Sequence, residues 1–296
     1  MQRSDVRFPS NGQECAAWLY RPDGQAVPPP VVVLGHGLGG VKEMRLDAFA
    51  ERFCDAGYAC LVFDYRHFGA SDGEPRQLLD ISQELADWAA AIAFARSIDG
   101  VDGTRIVLWG SSFGGGLVID AAAADGDVAA VISQCPFTDG IASARAGGLR
   151  STAKVAVRAL RDLASSARGA SPVMVPFAGA PGSAALMAAP DCLPGYLAIA
   201  SSAPRFRNEV CARFALAITR YFPGRRAAEL RCPVFFALCR DDTVAPARAS
   251  RRHAQRAPRA EIREYPCGHF DIYVGEPFER AAADYVDFLH RSVPVG

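Results

Sequence analysis

Hydrophobic positions along the chain fall into short continuous runs that are separated by longer segments of mixed polarity. The runs are AAWLY near Trp18, VVVL at 31–34, ACLVF at 59–63, IVLW at 106–109, AAVIS at 129–133, VFFAL at 234–238 and EIREY at 261–265. Short, continuously apolar runs are typical of strands that are buried on both faces. The pattern therefore predicts a sheet with a fully buried centre.

The segments between these runs carry the periodicity of helices. Residues 47–56 and 78–97 have apolar side chains at helical spacing. Strands that alternate with helices predict β-α-β winding and a mostly parallel sheet with helices packed against it. We expect the first two runs, near Trp18 and at 31–34, to form an antiparallel start to this sheet. The predicted fold class is α/β.

The alternation stops in the middle of the chain. Residues 149–169 and 205–222 have amphipathic helical patterns, and the apolar stretch between them is broken by proline and glycine. A long insertion within a strand pattern is usually a functional lid. We therefore predict a core formed by residues 1–139 and 225–296 and an inserted cap at 140–224.

Composition and charge exclude several classes of protein. The 296 residues include 32 basic and 32 acidic side chains, so no net charge attracts nucleic acid or an acidic membrane. The N-terminus lacks an apolar signal segment, and no run is long enough to span a bilayer. The nine cysteines form no C-x-x-C pair, and several lie in apolar runs, which favours reduced core thiols. We expect a cytoplasmic protein without nucleic-acid or membrane partners.

The stretch GSSFG at 110–114 fits the motif G-x-S-x-G. It follows a predicted strand and precedes a helix, which is the context of a nucleophile elbow. In such a turn Gly110 and Gly114 leave room for strand and helix to approach, and Ser112 stands at the tip. The helix N-terminus favours a developing anion there. Ser111 occupies a spacer position, and the alternative interpretation of the whole stretch is an ordinary Gly/Ser turn.

A serine hydroxyl needs a neighbouring base to become a good nucleophile. His269 lies in the stretch YPCGHFDIY just after the last predicted strand, where a loop at the carboxyl edge of the sheet can reach Ser112. The remaining histidines lie in less suitable contexts. His36 and His67 are in loops, His253 is in a basic segment, and His290 is in the terminal helix. We predict His269 as the base.

The base in turn needs a carboxylate to orient it. Asp241 and Asp242 follow the strand at 234–238, and Asp139 follows the strand at 129–133. The chain order of nucleophile, acid and histidine in hydrolases of this kind allows each of them. Adjacent side chains cannot point the same way, so only one of Asp241 and Asp242 can serve.

Two backbone amides are expected to bind a developing oxyanion. The first belongs to Phe113, directly after the nucleophile, and the second to Leu38 in the glycine-rich loop GHGLGG, with Gly37 as the alternative. A glycine-rich loop can instead cradle a phosphate. However, neither the dinucleotide fingerprint nor the P-loop pattern is complete here.

Taken together, the stretches GHGLGGVKEM, VFDYRHFGASDGEP, GSSFGG, DDTVAP and CGHFDIY resemble the α/β-hydrolase superfamily over nearly the whole chain. The set is most similar to the dienelactone-hydrolase-like and acyl-peptidase-like branch, whose relatives include bacterial esterases and polyketide acyltransferases. That branch carries its acid in a D-x-V-x-P pattern, which residues 242–246 match, so the resemblance selects Asp242.

The resemblance also bears on the loop DYRHFGASDG. It is similar to the D-x-R-G-x-G-x-S loop of the family, which implies that Asp64, Arg66 and Ser71 are loop scaffolding. His67 stands where the family usually has glycine, and this departure is expected to place an imidazole near the pocket.

The resulting expectation is a serine hydrolase that cleaves an ester or thioester through Ser112, His269 and Asp242. Such a triad requires neither a metal nor an organic cofactor. The apolar cap predicts a pocket for an apolar acyl group, with four candidate lining residues: Phe137, Met174, Phe177 and Tyr196. The expected partner is a small acyl ester or thioester, either free or bound to a carrier.

Three alternatives use the same residues differently. An acyltransferase would pass the acyl group to an alcohol or amine, and a peptidase would cleave short peptides. A binding module on a hydrolase fold would be catalytically silent. The sequence does not decide whether the chain forms a homodimer.

Overall fold

The computed structural model describes residues 1–24 and 26–296, and ten strands run through them. In chain order these are Gln2–Ser10 (β1), Gln13–Arg21 (β2), Pro30–Gly35 (β3), Ala59–Phe63 (β4), Asp102–Ser111 (β5), Ala130–Gln134 (β6), Met174–Val175 (β7), Val210–Cys211 (β8), Val234–Cys239 (β9) and Ala260–Tyr265 (β10). Eight of them form one sheet in the order β1-β2-β4-β3-β5-β6-β9-β10. The strands from β3 to β10 in this sheet pair in parallel.

The helices are Leu46–Asp55 (α1), Ile81–Arg96 (α2), Phe113–Asp125 (α3), Gly140–Ala146 (α4), Leu149–Ser166 (α5), Cys192–Ile199 (α6), Ala215–Ile218 (α7), Ala247–Ala254 (α8) and Gly275–Ser292 (α9). Short 3-10 turns cover Ala212–Phe214, Pro223–Glu229 and Asp271–Tyr273. Helices α1 and α9 pack together, as do α2 and α3, and both pairs contact the central strands. The predicted α/β class is confirmed.

The antiparallel start of the sheet lies elsewhere than predicted. Strand β3 pairs in parallel with both β4 and β5, so the expectation of an antiparallel strand at 31–34 is wrong. The antiparallel strands are β1 and β2, with β2 next to β4. Most side chains of the edge strand β1 are exposed, so it lacks the continuous apolar run that marks the buried strands.

The hydrophobic core follows the centre of the sheet. Every residue of β3, β4, β6 and β9 is buried. The carboxyl ends of β3, β5, β9 and β10 lie along one edge of this sheet, because these strands run in parallel. Loops that follow different strands are therefore brought together at that edge.

Residues 140–224 contain α4 to α7 and the separate antiparallel pair of β7 and β8. Within the described residues they add no strand to the large sheet. Helix α5 agrees with the amphipathic pattern at 149–169, whereas the helix expected at 205–222 is wrong. There the backbone forms β8, a 3-10 turn and the short α7. Tertiary hydrogen bonds replace the helical ones, since Cys211 N donates to Gln77 O and Arg213 N to the buried Asp162.

All nine cysteines are unpaired thiols in the described residues, as the sequence predicts. In the same part of the chain, no helix combines the length and the apolar character that crossing a bilayer would need.

Candidate active site

Ser112 stands in a strained turn between β5 and α3. Its φ is 57° and its ψ is −118°, a backbone conformation that residues other than glycine rarely adopt. A Cβ atom on Gly110 would lie 2.2 Å from the carbonyl oxygen of Gly114, and one on Gly114 would lie 2.4 Å from that of His36. Both positions therefore exclude a side chain, which is the steric reason for the two glycines of the motif.

Three side chains from distant parts of the sequence form one hydrogen-bonded row. Nε2 of His269 lies 2.9 Å from Oγ of Ser112, and Nδ1 lies 2.7 Å from Oδ2 of Asp242. The three side chains are buried, and Ser112 is 7% exposed. A carboxylate accepts the Nδ1 proton, so Nε2 is left to accept a proton from the serine hydroxyl. Asp242 follows β9, and His269 follows β10.

The structure distinguishes the three candidate acids. Asp242 contacts His269, and its other oxygen accepts the N–H groups of Val244 at 2.8 Å and Ala245 at 2.6 Å. Asp241 is exposed to solvent. Asp139 instead caps the start of α4, where it accepts the N–H of Ala142. Among these acids, Asp242 is the one that lies against His269.

Buried neighbours set the protonation of His269. Burial lowers the pKa of the imidazole, but the Asp242 carboxylate and Cys135 together raise it by more, so the pKa of His269 lies above its ordinary value. A buried imidazolium is stabilised by this carboxylate. The arrangement therefore suits a group that accepts a proton and later returns it.

The glycine-rich loop after β3 runs over Ser112. A Cβ atom on Gly37 would lie 3.0 Å from Cβ of Ser112 and 3.6 Å from its Oγ. The N–H groups of Leu38 and Phe113 donate to no acceptor within the described part of the chain. The carbonyl oxygen of Leu38 accepts the hydroxyl of Tyr196, which holds the loop in place. Two unengaged amides thus lie on the segments that flank Ser112.

A cavity of about 250 Å³ opens from Ser112 and Leu38. Its walls are mostly apolar and come from the core and from residues 140–224, including Phe113, Phe137, Val155, Ala156, Met187, Leu216 and Ile218. A second cavity of about 20 Å³ also borders Ser112 and His269, and it has room for about one water molecule.

Two of the four predicted lining residues border these cavities. Phe137 lines the larger one and Tyr196 the smaller one. Met174 and Phe177 border neither, so their placement was wrong. Phe177 is fully buried with its ring against Gly39, which has φ of 60° and no room for a side chain. The lining residues on α5 and α7 were missed, because an amphipathic pattern shows a buried face without showing what it faces.

The expectation that the imidazole of His67 lies near the pocket is also wrong. The side chain is buried, and its ring nitrogens lie 3.1 Å from Pro75 O and 3.0 Å from Gln83 Oε1, away from both cavities. The same loop is held by two buried ion pairs, Lys42 with Asp64 and Arg66 with Asp87, and by the Ser71 hydroxyl. These contacts agree with a scaffolding role for the loop.

The other histidines lie outside the hydrogen-bonded row. His36 is buried and lines the smaller cavity. The ring of His253 packs closely on Gly224, and His290 is exposed on α9.

One group of potential metal ligands lies beside the site in the described residues. The Sγ atoms of Cys135 and Cys239 and a carboxylate oxygen of Asp242 lie within 4.8 Å of one another. However, both oxygens of Asp242 already accept hydrogen bonds from the imidazole and from backbone amides. This carboxylate is therefore suited to orient His269 rather than to bind an ion.

Known proteins match the chain over much of its length. Residues 26–273 match the family model described as serine aminopeptidase, S33. The chain is 55% identical to the quorum-quenching protein AidA of Acinetobacter baumannii over 98% of this chain and 95% of AidA. It is 32% identical to the polyketide transferase grgF of a Penicillium species over 62% of this chain and 60% of that protein.

Solved structures resemble the chain over its full length. The crystal structure of the α/β hydrolase GrgF from Penicillium sp. sh18 superimposes with a TM-score of 0.82 and 25% identity, covering 99% of each chain. The match therefore covers the central sheet, its flanking helices and residues 140–224 together.

Proposed function

Since the chain belongs to the serine aminopeptidase S33 family of α/β hydrolases, it is an enzyme of that fold, and we propose that it cleaves carboxylic esters or thioesters with an apolar acyl group. Ser112 is the proposed nucleophile, His269 the base and Asp242 the acid that orients it. The observation that carries the proposal is the hydrogen-bonded row of these three side chains, whose serine lines an apolar cavity.

The proposed reaction proceeds in two stages. Ser112 Oγ attacks the acyl carbonyl while His269 Nε2 takes its proton, and the amides of Phe113 and Leu38 bind the oxyanion. The imidazolium then gives this proton to the departing alcohol or thiol, which leaves an acyl group on Ser112. A water molecule, deprotonated by His269, attacks the acyl-enzyme, and the acid is released as the serine regains its proton.

The cavity supports esters over peptides with a free amino terminus. An aminopeptidase needs a negative group to bind the substrate ammonium ion, because a buried cation without a partner is costly. Among the described residues that line the larger cavity there is no aspartate or glutamate. An uncharged acyl chain fits these walls better than a peptide amine does.

The named relatives agree with a small-molecule acyl substrate. AidA is named a quorum-quenching protein and grgF a polyketide transferase. The second name supports a specific alternative, in which an alcohol or amine replaces water and the acyl group is transferred. Both reactions pass through the same acyl-enzyme, so they differ only in the group that accepts the acyl chain.

The test is a substrate panel that contains p-nitrophenyl esters, acyl thioesters and aliphatic lactones, which are cyclic esters. We expect turnover of at least one class by the wild type. Ser112→Ala and His269→Ala should each reduce kcat by about 10⁴-fold or more, since members of such a triad act as a unit. Circular dichroism checks that the variants are folded. Comparable rates in Ser112→Ala would reject the assigned nucleophile.

Addition of alcohols and amines to the same assays separates hydrolysis from transfer. Hydrolysis yields the free acid as the main product at all acceptor concentrations. A transferase would form the new ester or amide in preference to the acid.

A further inference from the structure

A buried hydrogen-bond network lies next to Ser112 and includes its chain neighbour. Gln134 Nε2 donates to Ser111 Oγ at 2.8 Å, and the hydroxyl oxygens of Ser111 and Tyr273 are 2.5 Å apart. At the far end, the Tyr285 hydroxyl donates to Gln134 Oε1 at 2.8 Å. All four side chains are buried. The motif predicts a mere spacer at Ser111, yet this residue takes part in two of these three contacts.

The network links the two segments that carry Ser112 and His269. Ser111 immediately precedes Ser112, whereas Tyr273 belongs to the 3-10 turn Asp271–Tyr273 that closes the loop of His269. The Ser111–Tyr273 hydrogen bond therefore connects segments that are 162 positions apart in the sequence.

The same loop is fixed at two further points. The carboxylate of Asp271 accepts the N–H of Gly268 at 2.8 Å, and Arg45 Nε donates to the carbonyl oxygen of Tyr273 at 3.1 Å. The loop is thus held by one hydrogen bond within itself and by one from Arg45. The Tyr273 hydroxyl joins it to the turn of the nucleophile.

The polar groups of the network satisfy one another. The oxygen of Ser111 accepts from Gln134 and can accept from the phenol, which leaves its own proton directed to Cys135 Sγ at 3.5 Å. Separation of the Ser111 and Tyr273 hydroxyls would leave a buried polar group unpaired, so their hydrogen bond resists displacement of either segment. Such a network can set a distance between two loops.

We propose that Ser111 and Tyr273 are positioning residues whose hydrogen bond holds the loop of His269 at the distance that Ser112 requires. This inference rests on the proposed function, because it concerns the approach of the proposed base to the proposed nucleophile. Neither side chain exchanges protons with the substrate. Their effect is exerted through the Ser112–His269 contact of 2.9 Å.

The decisive variant is Tyr273→Phe, which removes one hydroxyl and keeps the ring. We expect the second-order rate constant for labelling Ser112 with a fluorophosphonate to fall about tenfold, since small misplacements of reacting groups are costly. For an ester substrate kcat should fall while KM stays near the wild-type value. The double variant Ser111→Ala/Tyr273→Phe should be no slower than the slower single variant, because both remove the same bond.

Tyr285→Phe is the matched control. It deletes the same kind of hydroxyl from the same network, but Tyr285 lies on α9 and contacts Gln134 rather than the loop of His269. We expect it to lower stability and to leave the labelling rate close to wild type. Equal slowing in Tyr285→Phe and Tyr273→Phe, or a wild-type rate in Tyr273→Phe, would overturn the inference.

A spectroscopic measurement keeps the inference separate from the proposed function. The Nδ1 proton of His269, shared with Asp242, should give a downfield proton NMR resonance. Tyr273→Phe should shift or broaden this signal, and Tyr285→Phe should leave it unchanged. If the wild type takes no label and cleaves no ester while the signal still responds to Tyr273→Phe alone, the proposed function fails and the positioning role stands. A signal that is the same in both variants and the wild type refutes the positioning role.

Discussion

At the scale of single residues, the site depends on which of two adjacent carboxylates meets the imidazole. Asp242 lies against His269 with its side chain buried, and two backbone amides hold its other oxygen. Asp241 extends into solvent. The same charge therefore has very different surroundings at neighbouring positions, and only Asp242 can stabilise an imidazolium.

Substitution of each aspartate by asparagine tests this difference. We expect Asp242→Asn to reduce kcat by about 10³–10⁴-fold, because the amide favours the wrong tautomer of the imidazole. Asp241→Asn is the control and should leave kcat near wild type, as exposed positions usually tolerate such changes. Steady-state kinetics on one ester substrate measures both. A larger loss in Asp241→Asn would move the acid by one position.

The protonation of His269 predicts a pH profile. Only the neutral imidazole can take the proton of Ser112, so kcat/KM should rise as the pH increases through the pKa of His269. Burial lowers that pKa, and Asp242 together with Cys135 raises it by more, so the midpoint should lie above the 6.5 of an ordinary histidine. In Asp242→Asn the raising charge is lost, and the residual activity should have a lower midpoint. A wild-type midpoint below 6.5 would contradict this account.

At the scale of secondary-structure elements, the turn between β5 and α3 packs closely against a second stretch of backbone. A Cβ atom on Gly114 would lie 2.4 Å from the carbonyl oxygen of His36, in the loop that carries Leu38. The turn and the glycine-rich loop are therefore packed backbone to backbone. Enlarging either one would force them apart.

We expect Gly114→Ala to destabilise the fold by about 1–3 kcal/mol through overpacking and to lower activity further by moving the loop of Leu38. Gly126→Ala, at the other end of α3, is the control. There a Cβ atom meets nothing within 4 Å, and the cost is confined to the positive φ of 79°. Urea unfolding and ester turnover per folded molecule measure the two effects. Full activity in folded Gly114→Ala would show that the packing does not hold the site.

The elements also show how far the sequence predicts the structure. The buried strands β3, β4, β5, β6 and β9 and the helices α1, α2 and α5 follow from hydrophobic runs and periodicity. The motif GSSFG and the position of His269 after a strand were enough to predict that Ser112 and His269 lie close together.

Other features depend on contacts that no local pattern records. Strand β1 is an exposed edge without an apolar run, so its pairing with β2 is invisible in the sequence. The helical pattern at 205–222 is overridden by hydrogen bonds to Gln77 and Asp162. The network of Ser111 joins residues that only the tertiary fold brings together. The division into a core and a cap at 140–224 stays a prediction.

At the scale of the whole molecule, the larger cavity lies where residues 140–224 meet the carboxyl edge of the sheet. Ser112 and Phe113 line it together with side chains of α5 and α7. We interpret this space as the site of the acyl chain, with the ester bond at Ser112.

Chain length provides the test of this interpretation. In a series of linear p-nitrophenyl esters, kcat/KM should rise about fourfold for each methylene that becomes buried, since burial contributes about 0.8 kcal/mol. The increase should stop when the cavity of about 250 Å³ is full. Rates that are independent of chain length would place the acyl group outside the cavity.

Two neighbouring alanines of α5 refine the same test. Ala156 lines the cavity, whereas Ala153 is exposed and lies outside the lining. Ala156→Trp should shift the preference to shorter chains without abolishing turnover of the shortest ester. Ala153→Trp should keep the wild-type preference, and a shift in that variant would point to a general effect of the added ring.

The central claim is that Ser112 carries the acyl group during turnover. It is tested most directly by mixing the enzyme with a good ester substrate, quenching with acid within the first turnover and mapping the modified peptide by mass spectrometry. The account predicts an added acyl mass on the peptide that contains Ser112, absent from Ser112→Ala. Turnover with the acyl group on a different residue, or a first-turnover burst of released alcohol or thiol with no acylated peptide, would contradict it.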